Sequence, residues 1–312
     1  MNSTIANFEL DDHIRRSRGA LLGLAVGDAI GTTVEFKPRG SFPLMTDMVG
    51  GGIFKLPVGA FTDDTSVALC LGTSILDNGF DLKNQIKRYT LWYEFGYFSS
   101  TGKCFDIGET TLDAIERYQE TGNPRSGGTG EMTAGNGSIT RLAPVVIRYL
   151  HNPKQALELC VEQSLTTHAA PECLMACQIF GEILIRALRG KTKHEILNAL
   201  LPDLHLTTRL RGIADGKYKS KEIDEISSSG YVVDSLESAL YCFSNTSSFE
   251  ECVLKSVNLG FDSDSVGALA GQLAGSFYGV EGIPNNWIEK LVMGQEIGEI
   301  AEDLAQASWA EQ

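Results

Sequence analysis

The sequence predicts a single-domain, all-α fold of compact, multi-helix architecture, and three observations carry that prediction. Apolar residues recur at helical spacing along nearly the whole chain, as at Leu82, Ile86, Tyr89 and Tyr93, or at Cys173, Cys177, Phe180, Leu184 and Leu188. The alternation of a half-buried strand is scarce. Helix boundaries are marked by start and stop residues: Gly79 follows one apolar run, Pro171 opens another, and Ser248 with Glu251 has the spacing of a capping box ahead of residues 252–257. Finally, glycine occupies every fourth position in two segments, at Gly19, Gly23, Gly27 and Gly31 and again at Gly267, Gly271, Gly275 and Gly279. Glycine inside a helix costs about 1 kcal/mol relative to alanine, so two such runs need a gain from close backbone approach. They predict two central helices in tight contact with neighbours, within a set of at least ten.

A chain of 312 residues, 43% hydrophobic and 21% charged, can bury one core of that kind. Three stretches break the helical pattern. Residues 37–61 and 121–137 are rich in glycine and proline and read as long loops, which in compact domains are often functional. Residues 203–233 read as a polar surface excursion. The formal net charge of -14 repels phosphate backbones and anionic bilayers, so nucleic acid and membrane are not expected as partners. No apolar stretch approaches the roughly 20 residues that cross a bilayer, and the first ten residues lack the pattern of a secretion signal; the expectation is a cytoplasmic protein. Seven cysteines, an odd number without a C-x-x-C pair, read as reduced core thiols, Cys173 and Cys177 included.

Two acidic clusters stand just before apolar helices: Thr62, Asp63, Asp64 and Thr65, and Asp262, Ser263, Asp264 and Ser265. Each alone suits a helix N-cap, where carboxylates and hydroxyls satisfy free N–H groups. Two caps of the same composition also supply hard oxygen ligands, which suit Mg²⁺ or Mn²⁺ better than zinc. Glu35, closing the first glycine segment, adds a fifth carboxylate. Five carboxylates against two divalent ions leave a formal charge of about -1, whereas the same five buried without cations would repel one another strongly.

In sequence order, Gly23 to Gly31 with Asp28 and Glu35, the Thr62 cluster, Asp106-Ile107-Gly108, Gly135-Asn136-Gly137-Ser138, Thr167-His168 and the Asp262 cluster closely resemble the motifs of the ADP-ribosylglycohydrolase family, across roughly residues 18–288. The resemblance implies an all-α fold, a dinuclear Mg²⁺ or Mn²⁺ centre and hydrolysis of ADP-ribose from a modified protein side chain, arginine first among acceptors. It makes Thr62, Asp63, Asp64, Asp262, Asp264 and Ser265 the metal ligands, with Glu35 at the same centre. Asp106 becomes the acid/base group, with Glu35 competing for that role. Gly135, Asn136, Gly137 and Ser138 become a diphosphate loop, and His168 a donor to ribose or phosphate. Residues 18–312 form the family domain on this reading, and residues 1–17 a charged lead-in that offers a contact to a partner.

Two departures from the family pattern stand out. Ser265 replaces a threonine, which keeps the oxygen ligand, and Glu109 replaces an asparagine, which adds negative charge beside the substrate path. Two competing readings share the same residues. One is an immunity-type protein that binds and neutralises an ADP-ribosylating toxin; the other is a dinuclear-metal phosphohydrolase.

Overall fold

The structure, a computed structural model, describes residues 3–198 and 206–311. Fifteen α-helices run through them: α1 (Ser3–Gly31), α2 (Asp63–Asn78), α3 (Leu82–Phe95), α4 (Glu109–Thr121), α5 (Gly137–Thr140), α6 (Ala143–Arg148), α7 (Pro153–Ser164), α8 (Pro171–Leu188), α9 (Lys193–Leu197), α10 (Thr208–Ala214), α11 (Val232–Ser244), α12 (Phe249–Val257), α13 (Ser263–Tyr278), α14 (Asn285–Lys290) and α15 (Gly294–Trp309). Extended pairing among the described residues is confined to three isolated bridges, so the chain is all-α. None of these helices is long and apolar enough to cross a membrane.

The two glycine runs pack on each other. A Cβ placed on Gly27 would lie 2.0 Å from the Gly267 carbonyl oxygen, one on Gly271 2.0 Å from that of Gly23, and one on Gly275 1.8 Å from that of Gly19. Rising numbers in α1 thus meet falling numbers in α13, and the two helices run antiparallel with backbones in contact. Only glycine permits this approach, and the dispersion and Cα–H···O contacts it allows offset the propensity cost. Leu21, Leu24, Ala25, Val26, Ala268, Leu269 and Leu273 on the same helices are fully buried, so the pair forms the axis of the core. Gly279 is the exception: it ends α13 with a φ of 78° and faces the Arg15 guanidinium.

α1 continues unbroken across residue 17. Arg15 donates to the Tyr278 carbonyl at 3.1 Å and Arg16 to those of Phe277 and Ser276 at 2.6 and 3.2 Å, placing two cations on the free carbonyls at the end of α13. From Ser3 onward, the charged lead-in is therefore the first half of the central helix. Ser248 caps α12 by accepting from Glu251 N at 3.1 Å, but Glu251 reaches back to Ser247 instead, leaving half of the expected capping box.

Residues 37–61 hold no helix, and the expected excursion beyond residue 206 carries α10 and two short 3₁₀ turns, Lys217–Ser220 and Ile223–Glu225; residues 203–205 of it lie outside the described residues. All seven cysteines are free; six are buried and Cys104 is half-buried.

The helix contact generates the first prediction. Gly271→Ala forces α1 and α13 apart and should cost about 3 kcal/mol of unfolding free energy. Gly72→Ala on α2 meets only side-chain ends, Ile300 Cγ2 at 3.1 Å being the nearest, and should stay within about 1 kcal/mol of the parent. Chemical denaturation of both variants compares them; equal losses would remove the special role of the α1–α13 contact.

Candidate metal centre and cleft

The antiparallel helix pair brings the end of α1 onto the start of α13. Ser263 Oγ donates to the Gly31 carbonyl at 2.8 Å, and a Cβ on Gly31 would fall 2.5 Å from Asp264 Cα. Just beyond, the chain is stitched again: Phe36 N donates to Phe261 O at 2.7 Å and Phe261 N to Lys37 O at 2.8 Å. These bonds carry Glu35 and Asp262, distant in sequence, to one place. Phe36 and Phe261 adopt left-handed φ values of 61° and 55°, and Asp106 does so at 59°. A non-glycine residue held there costs roughly 1–2 kcal/mol, so three of the turns around the acidic groups carry backbone strain.

The acidic clusters do not act as helix caps. Thr62 and Asp262 occupy the N-cap positions of α2 and α13, yet neither side chain accepts from a backbone N–H of its own helix. Asp28, one residue past Gly27 and turned off the glycine face of α1 toward α2, takes that task for α2: Oδ1 accepts from Thr62 N and Oγ1 at 2.8 and 2.9 Å, and Oδ2 from Thr65 N and Oγ1 at 3.0 and 2.6 Å. Asp262 Oδ2 instead accepts from Asn136 Nδ2 at 2.6 Å, tying the second cluster to the glycine loop.

Carboxylates therefore converge on a cleft of about 560 Å³ lined by Glu35, Asp63, Asp64, Asp106, Asp262 and Asp264. Oxygen atoms of Glu35, Asp262 and Asp264 lie within 4.8 Å of one another, and so do those of Asp63, Asp64 and Asp264. Asp264 belongs to both groups, which makes two adjacent cation sites with one shared carboxylate. Glu35 Oε2, Asp64 Oδ2, Asp106 Oδ2 and Asp264 Oδ1 are buried without a hydrogen-bond partner. Orphaned oxygens on Glu35, Asp64 and Asp264, members of the two groups, are the signature of ligands facing a cation, and the all-oxygen donor set fits a hard divalent ion.

Electrostatics agree with that fit. Burial, then the Asp106 and Asp262 charges, push Glu35 up to about 10; burial, then Asp64, push Asp106 up to about 8 and Asp262 to about 6. Asp63 and Asp264 rise through burial and the repulsion of Asp64 and Glu35 respectively. Asp64 rises through burial, against hydrogen bonds from Thr140 and Ser265 and the Arg141 charge.

The opposite wall is the glycine loop with His168 behind it. A Cβ on Gly135 would meet His168 Nε2 at 3.2 Å and one on Gly137 would meet Cε1 at 3.1 Å, so the missing side chains admit the ring. Burial and the Arg141 charge hold His168 down at about 3, and its Nδ1 lies 2.7 Å from Thr167 Oγ1. Gly135, Asn136, Gly137, His168 and Ser265 line the cleft. Ser138 does not: it is fully buried behind the loop, where Cys177 donates to its hydroxyl. Thr62 is also fully buried, with its hydroxyl 3.3 Å from Asp264 Oδ2.

Two residues without an assigned role in the sequence reading shape this site. Asp28 is one; a lone carboxylate inside a glycine helix was its signal. Arg141 is the other, a buried guanidinium over the Tyr89 ring that donates to Gly137 O, Gln163 Oε1 and Thr167 Oγ1 and so fixes both the loop and His168. Nothing in its local sequence distinguishes it from a surface arginine.

An all-α scaffold that gathers six carboxylates from four chain segments around paired cation positions defines a metal-dependent hydrolase. A family model of ADP-ribosylglycohydrolases matches residues 9–312, and the chain belongs to that family; it is an ADP-ribosylglycohydrolase. It is 43% identical over 294 residues to the ADP-ribosylarginine hydrolase Tri1 of Serratia proteamaculans, covering 94% of this chain and 80% of that one. It is 34% identical to the ADP-ribosyl-[dinitrogen reductase] glycohydrolase of Rhodospirillum rubrum, covering 90% and 92%. A solved structure of an ADP-ribosylglycohydrolase-related protein complex superposes with a TM-score of 0.86 at 40% identity, over 96% of this chain and 99% of that one.

The raised carboxyls set the pH dependence of the metal-free protein. Each keeps its proton to higher pH in the folded than in the unfolded chain, so the folded state binds more protons and stability falls as pH rises. In chelator, the melting temperature should therefore drop from about pH 4 upward, through the Asp262 range near 6 and the Asp106 range near 8. Millimolar Mg²⁺ or Mn²⁺ should release protons and flatten that slope, adding about 2.7 kcal/mol at a hundredfold excess over Kd. Asp264→Asn takes a ligand from both groups and should lose this gain. Thermal melts over pH 5–8 decide it; a parent protein indifferent to both ions contradicts the metal centre.

Proposed function

We propose that the cleft hydrolyses the bond between ADP-ribose and an arginine side chain of a modified protein, with Mg²⁺ or Mn²⁺ on Thr62, Asp63, Asp64, Asp262, Asp264 and Ser265 and Glu35 at the same centre. The observation that carries the assignment of roles is the exclusion of Asp106 from both cation groups. It has a buried, unpartnered oxygen in the cleft and its charge is the first to act on Glu35, so it is the carboxylate left free to move a proton.

When bound, the two ions would supply Lewis acidity that holds the ribose diol and lowers the pKa of an attacking water. Asp106 takes a proton from the water that adds to the anomeric carbon, with Glu35 as the competing base beside it. The bond from the anomeric carbon to the guanidinium nitrogen breaks with its electron pair going to nitrogen. The acceptor leaves as neutral guanidine and regains its proton from solvent. The diphosphate rests on Gly135, Asn136 and Gly137, and neutral His168 offers a ring N–H donor beside them; Ser138 supports the loop from behind.

Arginine as the acceptor is supported by the two Tri1 relatives, each named as an ADP-ribosylarginine hydrolase, and by the charge of the cleft. Its lining holds no lysine or arginine, and Glu109 adds an exposed carboxylate that belongs to neither cation group. A cationic guanidinium is the acceptor such walls favour.

Incubation with ADP-ribosylated arginine peptide and Mg²⁺ should yield free ADP-ribose with its diphosphate intact. Release of phosphate or AMP would instead establish a phosphohydrolase, and binding without product an immunity-type protein. Asp106→Asn should retain the metal-induced rise in melting temperature while losing a hundredfold to ten-thousandfold in kcat. Near-parent turnover in that variant transfers the role to Glu35.

A second measurement addresses the acceptor. Glu109→Gln should lower kcat/KM about threefold to fivefold on an arginine linkage, through KM, the worth of one exposed ion pair. An uncharged serine linkage should be unaffected, and equal effects on both would show that Glu109 does not read the acceptor charge.

A further inference from the structure

Asp28 presents an unusual combination: a carboxylate in the cleft's foundations, beside the cation groups, that has no capacity for a cation. Both of its oxygens accept two hydrogen bonds, at 2.6–3.0 Å, so its four lone-pair positions are filled. It is fully buried and belongs to neither cation group. Its backbone is held by the preceding residue, since Gly27 packs on the Gly267 carbonyl of α13. The four donors all belong to the first turn of α2, the element that presents Asp63 and Asp64.

We propose that Asp28 is a positioning residue for the α2 half of the metal centre: it registers Thr62, Asp63 and Asp64 against the rigid α1–α13 pair and turns the Thr62 hydroxyl proton away from the cation. The inference rests on the metal reading above. Thr62 Oγ1 has one proton and two acceptors in reach, Asp28 Oδ1 at 2.9 Å and Asp264 Oδ2 at 3.3 Å. Donation to the nearer oxygen leaves the lone pairs of Thr62 Oγ1 directed toward Asp264 Oδ2. Ligand oxygens that neighbour each other around an octahedral ion at 2.0–2.1 Å stand about 3 Å apart, the spacing of this pair. The arrangement has the logic of an outer-shell partner that fixes the orientation of a ligand it does not share.

Asparagine at position 28 has the same size but brings two protons to a place that faces four donors. At least one N–H or hydroxyl of the α2 turn loses its acceptor, and where the amide faces Thr62 the hydroxyl must accept and turn its own proton toward the ion. A purely structural role for Asp28 would weaken the whole protein and both cation sites together. A positioning role weakens one. Glu35 and Asp262 sit on the other stitched turn, which Asp28 does not touch.

The test is Mn²⁺ titration of the full chain, read as free Mn²⁺ by electron paramagnetic resonance, at a temperature well below the melting point in chelator. The parent should bind two ions. Asp28→Asn should keep one site within twofold and weaken the other about tenfold to a hundredfold, the usual effect of removing an outer-shell partner. Adding Glu35→Gln to Asp28→Asn should then take away the site that had kept its affinity and leave only the weakened one, which assigns the weakened one to α2. Should Asp28→Asn not fold, Thr65→Val takes its place: it keeps every charge, removes only the 2.6 Å arm, and should weaken the same single site several-fold. Two unchanged sites in the variants, or both weakened alike, overturn the inference while leaving the metal reading intact. A parent that binds no Mn²⁺ removes the metal reading itself, and this inference with it.

Discussion

Backbone contact between the glycine faces of α1 and α13 sets the geometry of everything around it. Because each glycine of one helix meets a carbonyl of the other, the pair can neither rotate nor slide without a steric clash. The antiparallel sense then has a chemical consequence. It puts the C-terminal end of α1 against the N-terminal end of α13, so that Glu35 and the Asp262–Asp264 cluster emerge at the same end of the core. Asp28, held in place through its neighbour Gly27, carries the register across to the start of α2 and its two carboxylates.

The centre is assembled at a cost in local stability. Seven buried or half-buried carboxyls, counting Asp28, press on one another, and burial raises each of them. Three left-handed non-glycine residues stand at the turns that deliver Glu35, Asp106 and Asp262. Neither feature helps the fold, and both are what a cation would compensate by drawing the oxygens onto itself. Arg141 offsets part of the charge from behind, where it also holds the glycine loop and His168. The large core and the helix pair supply the rigidity that makes such a site sustainable, in keeping with a scaffold that is stiff where the chemistry is strained.

Much of the site was legible in the sequence because its ligands are short-range patterns. The two carboxylate clusters, Glu35 and Asp106 all line one cleft, as does the Gly135–Gly137 loop with His168. What misled was position within elements. Thr62 and Asp262 occupy cap positions without capping, because a competing partner across the core satisfies each of them. Ser138 follows the loop motif in sequence but turns inward, since the helix after Gly137 points its second residue at α8 and Cys177. The polar stretch after residue 206 looked peripheral, yet Ser228 O accepts from Asp262 N at 3.0 Å and Gly230 reaches the cleft.

The sequence by itself determined the all-α class, the glycine faces that demand close helix packing, the oxygen-rich acidic clusters that line the cleft and the family to which the chain belongs. These follow from periodicity, residue chemistry and ordered motifs, which are properties of short segments. Only the tertiary structure decided that the glycine runs are each other's partners, that Asp264 belongs to two cation groups at once, and that Asp28 and Arg141 hold the site from behind. Those facts depend on which side chains meet across separations of 34 residues for Asp28 and Thr62 and 202 for Thr62 and Asp264. A buried charge is defined by its neighbours in space, and no local pattern records who they are.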